Sequence, residues 1–485
     1  MTRILGVVVV LMVLQSPLLL VTVAAKKNRP VLRMTGMDAV VTGRSATFPQ
    51  SSGTLLLEPH FSLDVPELEL VTPEHDDGAL VVHRQQLYSS DHHQTFLGSG
   101  IDAKGHPVSV SIVATSDGTT TSSNNNNNNN NNTACLNGYV LYRDTHYTIR
   151  GSLNDHQGQQ QQIRVERQSA RDYPDEETAI LEEEDRRHLR ETTTTTTTTS
   201  LVRPRRRQLR LDPSTGLPIV TALIVFPRDI GCSIATFGRA TDCDTTTPLV
   251  HTMLEGTARL VVNLANMAYK NSDIALRMEL AGFRVMDDVE MNYAASMRQL
   301  NEFKFGRKFL QLRRERDTLD ADFVSLISDF PGSCGLAFIA GGLSLQTGDQ
   351  AYSLINYRCI PNHSFTHEVA HTMGCLHNAE NTPFSGGYSY GYRSPEHGFR
   401  SIMAYNCAAG EYCPRVAHFS NPNVTYNGFP TGSDHANNAR WINQHHWLYT
   451  TYRQECEEES WMGLFCEIYR LIRHFLDFLT SQFWE

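Results

Sequence analysis

Two stretches of the N-terminal half alternate apolar and polar positions: "GHPVSVSIVAT" (Gly105 to Thr115) and "GYVLYRDTHYTIRG" (Gly138 to Gly151). A period of two is the mark of a half-buried strand, so both predict β-structure. The asparagine run Asn124 to Asn132 between them has no side chain fit for a core and reads as a loop. Beyond "QGQQQQ", the acidic "DEETAILEEED" and the threonine run Thr192 to Thr199 continue the low complexity. The pattern predicts a β-rich part over about 55–155 and a disordered linker over about 156–206.

From Pro218 the periodicity changes. "PIVTALIVF" is a short β-branched apolar run, a buried strand. Val250, Leu254, Ala258, Val261, Ala265 and Ala268 then recur every three or four residues, giving a helix with one apolar face. "ALRMELAGFRVM", "DADFVSLISDF", "GLAFIAGG" and "AYSLINYRC" supply four further strands. Strands alternating with long helices predict an α/β fold over 207–455.

Composition places the chain among ordinary globular proteins, with 40% hydrophobic and 19% charged residues in 485. A formal net charge of −10 gives no sign of a nucleic-acid partner. Arg3 precedes the apolar stretch Ile4 to Val23, which closes on small residues, so residues 1–25 read as a signal peptide; an uncleaved anchor is the alternative for a stretch of that length. A secreted chain makes its ten cysteines candidates for disulfides. Asn131, Asn362 and Asn423 stand in N-glycosylation sequons.

The linker ends in "LVRPRRRQLRLDP". Arg203, Arg205 and Arg206 form a basic site of the kind furin-like proteases cut, at the join of an exposed linker and a folded domain; a merely solvated charge run is the bland reading. Cleavage there makes 26–206 a propeptide, a candidate inhibitor of the domain at 207–455. Residues 456–485 carry apolar residues at helical spacing among charges. They predict an amphipathic helix or tail that either packs back on the domain or lies at a membrane interface.

The densest chemistry lies in "HSFTHEVAHTMGCLHN". Phe365 to Met373 has no proline or glycine and fits a helix, so His367 and His371 project from one face and share a metal ion. Glu368 adjoins the open coordination position as a candidate general base. Gly374 tolerates positive φ, letting the chain turn and bring back His377 as third ligand. Three nitrogens and a water make a catalytic zinc site, whereas structural sites are usually closed by four protein ligands. Cys375 is read as disulfide-bonded or as a buried thiol, and His363 and His418 as ordinary histidines.

That motif, with "SIMAY" downstream, resembles the metzincin zinc endopeptidases, in which Met403 would form the methionine turn beneath the ligands. The stretch from Pro218 to Tyr452 looks like the reprolysin-like members and most like the peptidyl-Asp metallopeptidases; Thr95 to Ser152 is more loosely similar to reprolysin propeptides. The resemblance implies a metzincin-type α/β domain, one catalytic Zn2+, protein or peptide substrates, secretion as a zymogen, and disulfides Cys334–Cys359 and Cys407–Cys413. It implies nothing about Ca2+. Tyr405 stands where related enzymes place a tyrosine that touches the metal or the intermediate; packing beneath the cleft is the other role open to it. Cys135 is either a cysteine-switch thiol or a buried residue of the pro-domain. Asn378 departs from the aspartate usual after the third histidine. A glycosylated surface or matrix protein, or an inactive metzincin fold, is the competing class.

Overall fold

A computed structural model describes residues 210–453, apart from 237, 239, 288, 290–294, 341–344, 383–386 and 408–411, together with nine strands between 31 and 169 and some adjoining residues up to 173. The signal segment, Asn131, the basic site at Arg203, Arg205 and Arg206, Cys456, Cys466 and the tail 456–485 lie outside the described residues.

The N-terminal strands are β1 (Val31–Thr35), β2 (Ser51–Leu57), β3 (Glu67–Val71), β4 (Leu80–Ser90), β5 (His93–Ile101), β6 (Pro107–Ser116), β7 (Ala134–Tyr142), β8 (Thr145–Ser152) and β9 (Ile163–Ser169). They close into a barrel in the order β1-β2-β9-β8-β7-β6-β5-β4-β3. Closure leaves no open sheet edge. The stretch 138–151 is β-structure as expected, a hairpin of β7 and β8 turning at Arg143 with φ 54°. One expectation is corrected. The β-rich part runs past 155: β9 lies inside the expected linker and buries Val165 completely between β8 and β2.

The second unit opens on β10 (Ile219–Pro227), all nine residues of it buried. There follow α1 (Arg228–Ala235), α2 (Pro248–Asn271), β11 (Arg277–Met286), α3 (Met297–Phe305), α4 (Leu310–Thr318), β12 (Phe323–Ser328), β13 (Gly335–Ala337), β14 (Tyr352–Asn356), α5 (Ser364–Thr372) and α6 (Asn438–Tyr449). The sheet order is β11-β10-β12-β14-β13, parallel except for the short antiparallel edge strand β13. This is the expected α/β class. Among the described residues no helix is long and apolar enough to cross a membrane.

Helix α2 joins the two units. Its apolar face packs on the sheet core, as periodicity predicts, but Thr252, Gly256, Thr257 and Asn263 on the remaining surface are buried as well. They meet the barrel: Thr115 Oγ1 donates to Thr252 O (3.2 Å) and Asn263 Nδ2 to Thr95 Oγ1 (3.3 Å). A Cβ at Gly256 would collide with the Asn137 amide of β7. Gly256→Val therefore destabilises the contact between barrel and helix by about 1–3 kcal/mol. Hydrogen exchange will show faster opening of β6 and β7, with β10 and β12 unaffected.

Candidate active site

The end of β14 feeds a 3₁₀ turn (Tyr357–Asn362), and His363 in the left-handed region (φ 59°) starts α5. On α5 His367 and His371 lie one turn apart, and the chain then reverses at Gly374 (φ 88°). A side chain at 374 would be strained by that positive φ and pressed against Trp441, whose Nε1 would lie 3.0 Å from its Cβ. The reversal brings His377 back, so the three Nε2 atoms stand 3.0, 3.0 and 3.1 Å apart.

The hydrogen bonds behind these rings determine what the nitrogens are. His367 Nδ1 faces Ile402 O at 2.8 Å and His371 Nδ1 faces Cys375 O at 2.8 Å. A carbonyl only accepts, so both Nδ1 atoms carry the proton and both Nε2 atoms turn lone pairs toward the same point. Two lone pairs 3.0 Å apart repel; a cation between them turns that repulsion into ligation. The donor set fits a metal, and these histidines are the group able to hold one among the described residues.

Aromatic donors finish the end of α5. The last carbonyls of a helix lack intrahelical partners. Here Trp441 Nε1 (2.8 Å) and Tyr449 Oη (2.7 Å) both donate to Met373 O, and Tyr452 Oη donates to Thr372 O (3.2 Å). Met403 is fully buried, in the turn whose preceding residue, Ile402, anchors His367.

Glu368 is buried beside the ligands and lies against β13: a Cβ on Gly335 would sit 2.7 Å from its Cγ and Oε1. Gly335 was not singled out by sequence, because its role exists only across the sheet edge. The Tyr405 ring lies against His377, tilted by 40°, with ring centroids 4.1 Å apart. Asn378 shows why an amide suits its position. Its Oδ1 accepts from Tyr405 N (3.1 Å), while its Nδ2 donates to Glu380 Oε2 (2.7 Å) and Asn381 Oδ1 (2.6 Å). A carboxylate would face two acceptors.

The structure forms the bridges Cys334–Cys359 and Cys407–Cys413, and a third, Cys232–Cys243, that sequence reasoning did not pair. Cys375 is a buried thiol whose pKa burial raises to about 12, well out of reach of a thiolate. Cys135 is fully buried on β7 and is not among the groups close enough to share an ion with the histidines. Asn362 is 3% exposed, so the expectation that it carries a glycan is overturned, whereas Asn423 is exposed.

His363 and His418, read from sequence as ordinary, share a buried polar corner with His146 of the barrel. Burial lowers His363 and His146 to about 3 and His418 to about 4, with the Arg415 charge adding to the first two. All three rings are neutral in the fold but protonate in the unfolded chain below about pH 6.5. Their stabilising contribution is complete above that pH. It falls by about 1.4 kcal/mol per pH unit per ring as pH drops toward the folded values. Urea unfolding at pH 7.5 and 5.0 will show this loss, and the His146→Gln and His418→Gln variants will each flatten the profile.

Residues 257–378 match the family described as "Metallo-peptidase family M12B Reprolysin-like", a stretch running from α2 through His377 and ending before the methionine turn. The chain is 31% identical over 195 residues to the "Peptidyl-Asp metalloendopeptidase" of Stenotrophomonas maltophilia (strain R551-3), covering 39% of this chain and 45% of that one. To the protein of the same name from Xanthomonas campestris pv. campestris it is 30% identical over 186 residues, 37% and 42% of the two chains. The chain thus spans less than half the length of these curated relatives.

Proposed function

We propose that this chain, which carries a reprolysin-like M12B metallopeptidase region, is a zinc endopeptidase made with its barrel as propeptide. The observation that carries the reading is the convergence of three Nε2 atoms, two of them forced by backbone carbonyls to be lone-pair donors. Three imidazoles leave coordination open, as catalytic zinc sites do.

His367, His371 and His377 hold the ion. When bound, zinc supplies Lewis acidity, lowering the pKa of a water and polarising the scissile carbonyl. Glu368, one residue along from His367 and fixed against Gly335, takes the proton of the attacking water and returns it to the leaving amine. Tyr405 beside His377 donates a hydrogen bond to the developing oxyanion. Met403 supports the floor. The name of these relatives suggests peptide bonds beside aspartate as the substrate class. The apolar N-terminus supports secretion, and the Arg203–Arg206 site supports processing by a furin-like protease.

Glu368→Gln will bind one zinc per chain and lose at least about a thousandfold in casein hydrolysis, a barrier rise of roughly 4 kcal/mol. A chelator will abolish the activity of the unmutated protein and added zinc restore it; a surface-binding protein would show neither. Gly335→Ala, which displaces the Glu368 carboxylate, will lower kcat about tenfold or more while zinc content holds.

A further inference from the structure

Tyr405 leaves the methionine turn in a stretch that is neither helix nor strand, so no regular ladder fixes the ring that lies against His377. Side chains hold its backbone instead. The carbonyl before it, Ala404 O, accepts from Arg400 Nη1 (2.7 Å), and its own N donates to Asn378 Oδ1 (3.1 Å). The carbonyl after it, Asn406 O, accepts from Arg393 Nη1 (3.0 Å). Three different side chains thus hold the backbone on either side of Tyr405.

Arg393 and Arg400 stand directly opposite each other where the two-residue strands Arg393–Ser394 and Phe399–Arg400 pair antiparallel. Like charges in that relation repel, so the hairpin itself gains no stability from the pair. Each guanidinium is turned to a carbonyl flanking Tyr405. Arg400, 6% exposed, also donates from Nε to Cys413 O (3.1 Å), where the Cys407–Cys413 bridge closes the following loop. Arg393 Nη2 lies 3.5 Å from Glu380 Oε2, and the same oxygen accepts from Asn378 Nδ2 (2.7 Å). The frame therefore closes on itself, from Arg393 through Glu380 and Asn378 to the amide of Tyr405. Asn378 directly follows His377, so the third histidine and Tyr405 share one set of bonds. Gly391 lets the chain come this close, since a Cβ there would lie 2.5 Å from Ala404 N.

Resting on the endopeptidase reading, we propose that Arg393 and Arg400 are positioning residues for the reaction, holding the backbone on both sides of Tyr405 so that its hydroxyl meets the developing oxyanion. Both act through Tyr405. A hydrogen-bond donor stabilises the transition state only where it is fixed at the place the charge appears, and a misplacement of about 1 Å costs up to about 100-fold. The loss falls on kcat rather than KM, because the hydroxyl makes its bond in the transition state. Lysine cannot replace Arg400, since one ammonium lacks the planar fork that reaches Ala404 O and Cys413 O together.

The test uses the secreted, zinc-loaded chain and a fluorogenic peptide copied from a site it cuts in casein. Tyr405→Phe will lower kcat about 100-fold. Arg393→Gln and Arg400→Lys will each lower kcat about tenfold, with KM within about twofold and zinc content unchanged. The Arg393 side chain is 22% exposed, so Arg393→Gln leaves no buried cavity and decides the matter if Arg400→Lys does not fold. In the Tyr405→Phe background the same substitutions will change kcat less than about twofold, because the hydroxyl they position is gone. Hydrogen exchange on the zinc-free chain will show residues 401–407 opening at least about tenfold faster in Arg393→Gln, with β10 and β12 unchanged. A kcat untouched by either arginine variant, or a loss of the same size with and without the Tyr405 hydroxyl, overturns the positioning role and leaves the endopeptidase reading intact. Tyr405→Phe at the normal rate overturns that role together with the part given to Tyr405. Failure of the unmutated protein to cut any peptide or casein overturns the endopeptidase reading itself, and the positioning role with it.

Discussion

Two backbone carbonyls govern this molecule. Ile402 O and Cys375 O each take the Nδ1 proton of a histidine, and by doing so they decide the tautomer, the ring orientation and the direction of the lone pairs at the opposite nitrogens. A side-chain acceptor could rotate away; a carbonyl in a packed turn cannot. Much of the surrounding architecture holds those two oxygens still. The turn at Gly374 sets Cys375, and the segment 414–418 braces Ile402. Trp441, Tyr449 and Tyr452 fasten the helix end from which the Cys375 turn departs, each bond contributing about 1 kcal/mol.

The barrel bears on the same system from the other side. It docks on α2 through small polar residues and carries Tyr139 and His146 up to the beginning of α5. Helix α2 is thus buried nearly all round, with the sheet on its aliphatic face and strands of the barrel on its threonine and glycine face. The contact is not polar throughout, since Val113, Cys135, Tyr139 and Leu141 of the barrel share one buried apolar cluster with Leu254, Ala258 and Val261 of α2.

The legible part of the sequence was the part whose chemistry imposes short, fixed spacing. Residues four apart on a helix must share a face, so His367, His371 and the Gly374 turn could be read directly, and the alternating and 3.6-residue patterns gave both halves of the fold. What escaped reading was whatever acts through the backbone or across long distances. Any residue could supply the carbonyls at Ile402 and Cys375. Gly335 matters only because Glu368 crosses to it, and the threonine face of α2 looks like solvent-exposed helix until a barrel is laid on it. Strand β9 was lost among glutamines and arginines that hid its short apolar alternation. His363 and Arg415 carried no spacing signal because the corner they share is assembled from distant segments of the chain.

The aromatic clasp on α5 also has a consequence for the order of events at the ribosome. The histidines and Glu368 are made well before Trp441, Tyr449 and Tyr452 emerge, so through that interval the helix ends in bare carbonyls and the turn behind it has nothing to lean on. The cleft is completed by nearly the last described residues to be synthesised. A growing chain would therefore carry its three histidines and Glu368 for about 75 to 85 residues of synthesis, as far as Tyr452, without being able to set them.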